Sequence, residues 1–195
     1  MKKKPKKAAK VAPLTNGAKE ITGIITGLLK GLTSHHAELE IKALRSGSIL
    51  GIEYTTHADD MPKAVGFYGR HHAALVEIAN SLGNRHNIKV VLSLLEPIKG
   101  EKFPPRGFIA NKNWQEEPTL ELLKETLAAL LTQPFEITPT NGEINTFFHI
   151  TTKDASFEKL RNPLYILFDA IGKAQGRLIY ITGDKEPESE KPKTD

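Results

Sequence analysis

Gly66-Phe67-Tyr68-Gly69 is the segment whose residue types and spacing are best suited to binding chemistry. Glycine lacks a Cβ, so a short glycine loop lets backbone approach a ligand closely, as the clamping of a phosphate requires. Arg70 and His71 follow directly, and Lys63 stands three residues before the first glycine. The centre of the loop holds two aromatics, Phe67 and Tyr68. They can stack on bases at about 1–3 kcal/mol each, or form a hydrophobic knob for a protein partner. The setting narrows the reading. An amphipathic segment, 59–65, precedes the loop, a longer helical pattern runs from Arg70 to Gly83, and an apolar strand covers 89–95. The loop is therefore expected at a junction between two helices.

The other reactive side chains carry blander readings. Asp59-Asp60 is expected to cap the N-terminus of the segment Met61–Val65, a place where Asp is favoured. His71-His72, with His35-His36, His57 and His86, raises a metal reading. Adjacent histidines point to different sides of a helix, and His72 shares its face with Val76 four residues on, not with a second ligand. No metal and no cofactor is expected. No nucleophile–base motif, P-loop or dinucleotide fingerprint is present, so no enzyme activity is expected.

Composition bounds the class. The chain has 195 residues and 39% apolar content, enough for packed cores. No apolar run approaches the ~20 residues needed to span a bilayer. The lysine-rich start lacks the apolar stretch of a secretory signal. Cysteine is absent, which excludes disulfides and thiolate metal sites, and a cytoplasmic location fits. The net charge of +4 is unevenly placed. Residues 1–10 hold six lysines, including Lys2, Lys3, Lys4, Lys6 and Lys7, and no acid; residues 184–195 hold five acids and three lysines. The body between them is left with 18 basic and 18 acidic residues. Surplus charge for attracting phosphate, which acts by displacing counterions, sits in the lysine arm.

The elements that must position the loop follow from periodicity. Residues 1–17 are expected to be a disordered basic arm ending in a turn at Asn16-Gly17. Ile21, Ile24, Ile25, Leu28, Leu29 and Leu32 define a helical face. Gly23, Gly27 and Gly31 recur every four residues and suit close packing against a sheet or helix. A hairpin turning at Ser46-Gly47-Ser48 comes next, so residues 18–96 read as one α-β-β-α-α-β unit. Residues 97–118, rich in Pro and Gly, read as a linker that Trp114 and Phe108 anchor onto a domain. A second unit is predicted over 119–183. It has a helix with Leu120, Leu123, Leu127, Leu130 and Leu131, strands at 135–138 and 144–150 joined at Asn141-Gly142, a short segment Ala155–Leu160, a helix Pro163–Ala174 and a strand 178–181. Residues 184–195 are expected to be a disordered charged tail.

Three pairs, Gly47 with Gly142, Asp59 with Asp154 and Val65 with Leu160, share an offset of 95 residues, which points to a structural repeat. At that offset the glycine loop becomes Arg161-Asn162-Pro163-Leu164, which cannot bring backbone to a phosphate in the same way. The fold class expected is α+β: two tandem units, each a three-stranded sheet backed by helices.

The run His57-Ala58-Asp59-Asp60-Met61-Pro62-Lys63-Ala64-Val65-Gly66-Phe67-Tyr68-Gly69-Arg70, with the helix and strand after it, resembles the small bacterial KhpA-type KH proteins. The resemblance covers residues 19–96, and 119–183 only as a pattern. Tandem KH pairs of bacterial transcription-elongation proteins are a looser analogy. The resemblance implies KH-like units and non-catalytic binding of single-stranded RNA, with single-stranded DNA as the close alternative. It assigns Gly66 and Gly69 as loop glycines and Lys63 and Arg70 as flanking cations. The centre of the family's loop is usually polar or basic, whereas this chain has Phe67 and Tyr68. An alternative is a KH-shaped protein-interaction or structural subunit of a ribonucleoprotein or viral assembly. It would meet its partner through Phe67 and Tyr68 or through the second unit.

Overall fold

The computed structural model describes residues 13–95 and 108–183. The lysine arm, the charged tail, residue 96 and residues 97–107 of the predicted linker lie outside these. The chain is α+β, with two three-stranded sheets and five helices among the described residues.

In the first half, α1 (Asn16–Leu32) leads to the hairpin β1 (Glu40–Ser46) and β2 (Ile49–Thr55). Then come α2 (Met61–Val65), α3 (Arg70–Arg85) and β3 (Lys89–Leu94). The second half has α4 (Glu117–Leu130), β4 (Phe135–Asn141), β5 (Asn145–Thr152), α5 (Ser156–Ala174) and β6 (Leu178–Gly183). Each sheet has its second strand in the centre, antiparallel to the first and parallel to the third. The parallel pairing forces a crossover, and the helices between the paired strands supply it. Alternation sends Leu50, Ile52 and Tyr54 of β2, and Thr146, Phe148 and Ile150 of β5, toward the helices.

One hydrophobic core serves both halves. α1 and α3 pack against α4 and α5, and the buried apolar residues form a single cluster. The glycine stripe of α1 explains part of this contact. A Cβ at Gly27 would fall 2.9 Å from Leu122 of α4, and one at Gly31 would fall 3.1 Å from Ile171 of α5. Gly23 has open space, so two of the three glycines let the helices meet. Across the same contact, Arg85 at the end of α3 donates to the carbonyls of Ala128, Ala129 and Leu131. These are unpaired acceptors at the C-terminus of α4, where a cation is favoured.

Several sequence expectations need correction. Asn16-Gly17 is the first turn of α1, because Thr15 caps it by accepting the Ala18 N–H. β4 runs on to Asn141 through Pro139, which an edge strand tolerates because no ladder donor is needed on its outer side. Ala155–Leu160 and Pro163–Ala174 are not separate pieces: α5 is continuous, with Pro163 inside it. Proline forfeits one intrahelical bond there, but its ring is buried.

The constant offset of 95 does not hold. Equivalent positions drift from 98 residues (Ser34 and Thr132), through 96 (Leu50 and Thr146) and 94 (Asp60 and Asp154), to 89 (Gly83 and Gly172). The last pair is close in detail. Gly83 accepts the Ile88 N–H and Gly172 the Arg177 N–H, each at 2.8 Å. A Cβ on either glycine would strike the carbonyl of that same partner. Between the Asp and Gly markers the second half is five residues shorter, the length of α2. It has therefore lost the short helix and runs straight into α5. Arg161-Asn162-Pro163-Leu164 does not replace the glycine loop; it matches His72–Leu75 within the long helix.

Candidate functional site

The glycine loop projects between α2 and α3, and its backbone explains its composition. Gly66 has φ 73° and ψ 169°, a region almost reserved for glycine. A Cβ there would lie 2.8 Å from the His71 backbone nitrogen and closer to its ring. Gly69 is left-handed at φ 76°, and a Cβ on it would meet nothing within 4 Å. Gly66 is therefore required by the turn, whereas the surface above Gly69 is open to a ligand.

Between them, Tyr68 also has positive φ, 53°. A bulky side chain in that region costs roughly 1–2 kcal/mol. Core packing does not repay it, since Tyr68 is 90% exposed and Phe67 75% exposed. The two rings meet edge to face, with centroids 4.1 Å apart.

The flanking polar groups divide into those facing outward and those already engaged. Arg70 is exposed at the first turn of α3. His71 donates its Nδ1–H to the Lys63 carbonyl near the end of α2. That hydrogen bond closes a helix end and leaves Nε2 free of it. Lys63 does not reach toward the loop. Its ammonium donates to the Asp60 carboxylate and to the Ser34 hydroxyl, each at 2.7 Å. The structure thus brings Gly66, Phe67, Tyr68, Gly69, Arg70 and His71 together and turns Lys63 inward. Lys2, Lys3, Lys4, Lys6 and Lys7 fall outside the described residues.

Asp60 is the polar hub behind the loop. It is fully buried, and it caps no turn of α2. Its carboxylate instead accepts the Ser34 and His35 N–H groups, the His35 ring and Lys63. Burial alone would raise its pKa; the hydrogen bonds from Lys63 and from the His35 and Ser34 backbone outweigh it and hold the group below the usual carboxylate range. The predicted N-cap is therefore a tether from α2 to the end of α1. Sequence spacing gave no sign of this long-range role.

His72 is structural. Burial pushes the Tyr54 phenol pKa up, so the phenol stays protonated and donates to His72 Nδ1 at 2.9 Å. Burial also lowers the His72 pKa and favours the neutral ring that accepts this bond. Trp114 lies half-buried against the second half. Its indole N–H donates to Gln175, and the Arg177 guanidinium sits 5.0 Å above its ring. Phe108 is exposed and lies outside the core cluster, so of the two expected anchors only Trp114 packs against it. Sequence reasoning missed Arg177, which is buried and holds the β4–β5 turn through the carbonyls of Gly142, Glu143 and Asn145. No helix among the described residues is long and apolar enough to cross a membrane.

No protein-family model matches the chain, and no curated protein matches it.

Proposed function

We propose that this protein binds single-stranded RNA, without catalysis, through residues 66–71 of its first half. In this reading the halves are two KH-like units, the second degenerate. The observation that carries it is the loop itself: a Gly-x-x-Gly turn between two helices, inside a strand–helix–helix–strand unit whose two strands are parallel neighbours. KH domains clamp a nucleic-acid backbone with such a loop. Open backbone at Gly69 receives a phosphate, Arg70 supplies charge, and Phe67 and Tyr68 stack on bases. The lysine arm adds sequence-independent attraction and speeds encounter. Single-stranded DNA is the nearest competitor, because neither stacking nor phosphate contact distinguishes the sugars.

The inward turn of Lys63 and the two exposed aromatics favour a second reading, in which the loop is a knob for a protein subunit of a ribonucleoprotein or viral assembly. Fluorescence anisotropy with labelled 12-nucleotide RNA separates the two. Under the first reading, Gly69→Asp abolishes most binding while the far-ultraviolet circular dichroism stays unchanged. If the variant binds as wild type does, the loop is not an RNA site.

A further inference from the structure

The connection after α1 and the connection before α2 bring two histidines and two carboxylates to one place. His35 and His57 stack with centroids 4.1 Å apart and a 31° tilt. One ligand-capable atom from each of His35, His57 and Asp59 lies within 4.8 Å of the others. His35 Nδ1 donates to the buried Asp60 carboxylate at 3.0 Å, which fixes the tautomer and leaves Nε2 with its lone pair. A carboxylate behind an imidazole is the usual way a metal-binding histidine is oriented and made more basic. His57 Nδ1 accepts the Asp59 N–H at 3.1 Å and lies 3.9 Å from the Asp59 carboxylate. Glu38 approaches the other side of the same ring, at 3.8 Å from Nε2.

We propose that His35, His57 and Asp59 bind a divalent transition-metal ion of the zinc type, with Asp60 orienting His35 from behind. Two imidazoles and one carboxylate form a donor set that zinc accepts, and water completes the fourth position. Ligands around tetrahedral zinc stand about 3.4 Å apart, given bonds of ~2.1 Å. Binding therefore draws the cluster inward and splays the stacked rings, a movement open to half-exposed side chains. The ion joins the segment after α1 to the residues that open α2. The site is independent of the RNA reading and of His71-His72, which belong to no such group of three among the described residues.

The test is titration of the full chain with Co2+, followed by visible absorption, and with Zn2+, followed by melting temperature. One equivalent of Co2+ is expected to produce tetrahedral d–d bands, and Zn2+ to raise the melting temperature. Asp59→Asn and His57→Gln should each weaken binding at least ten-fold. Absence of saturable binding, or wild-type affinity in both variants, overturns the site. Should either variant fail to fold, imidazole NMR of the wild type decides. Zn2+ must shift the His35 and His57 resonances and leave His86 and His149 in place; shifts confined to other histidines contradict the proposal.

Discussion

Asp60 and Asp154 hold the same position in the two halves: each carboxylate accepts two successive backbone N–H groups just past the end of the preceding helix. Asp60 takes those of Ser34 and His35, and Asp154 those of Thr132 and Gln133. The surroundings differ. Asp60 is buried and also binds Lys63 and His35, whereas Asp154 is held first by the Ser156 hydroxyl and lies near the surface. The same tether supports a glycine loop in one half and a plain helix in the other.

That relationship predicts an acid-sensitive fold. Both carboxylates have folded pKa values below their unfolded ones, so each contributes fully above about pH 4 and its contribution fades as pH falls further. Asp60→Ala should cost on the order of 3 kcal/mol at pH 7, since it strands a partly buried lysine and two backbone donors. In urea titrations between pH 5 and pH 2, the wild type should lose stability more steeply than the variant.

Tyr68→Gly should separate stability from binding. It removes the positive-φ strain of a bulky residue and introduces some backbone freedom, for a net gain of up to about 1 kcal/mol. RNA affinity should fall about ten-fold through loss of one stacking platform. Urea unfolding and anisotropy on the same preparation check both signs.

Arg85→Ala should loosen the two halves. Three carbonyls at the end of α4 lose their donor, at a cost of about 1–2 kcal/mol. Lysine at this position should recover little, because one ammonium does not reproduce the guanidinium fork. Hydrogen exchange at the C-terminus of α4 should accelerate in both variants.

Much of this architecture was legible in the sequence. The 3.6-residue spacing of Ile21–Leu32 marked α1, Ser46-Gly47-Ser48 marked the first hairpin, and the flanking pattern placed the glycine loop between helices. The illegible parts share one cause: they depend on contacts between distant segments. Asp60 looks like a local cap until α1 is folded against it. His35 and His57 are 22 residues apart and meet only through the β1–β2 hairpin. The second half shows where a constant-offset comparison fails. Connections can shorten and a helix can be lost while the sheet register is kept, so the offset drifts and the equivalent of the loop disappears.

Removal of the lysine arm should act on every sequence alike. Six lysines that all contact single-stranded phosphates would contribute about 4 to the slope of log affinity against log salt. A chain lacking residues 2–10 should bind more weakly, with a flatter salt dependence, yet keep its sensitivity to Tyr68→Gly.

RNA binding by Gly69→Asp in the full chain asks directly whether the loop contacts RNA. A Cβ at this position meets nothing in the fold, and Asp is among the residues that visit the left-handed region, so the variant changes the loop surface for a backbone strain of about 1–2 kcal/mol at most. An affinity at least ten-fold weaker than wild type, with the fold retained and the melting temperature lowered by no more than that strain, is the predicted result. Unchanged affinity with the arm intact, and loss of binding only when the arm is removed, would contradict a role for the loop in RNA recognition.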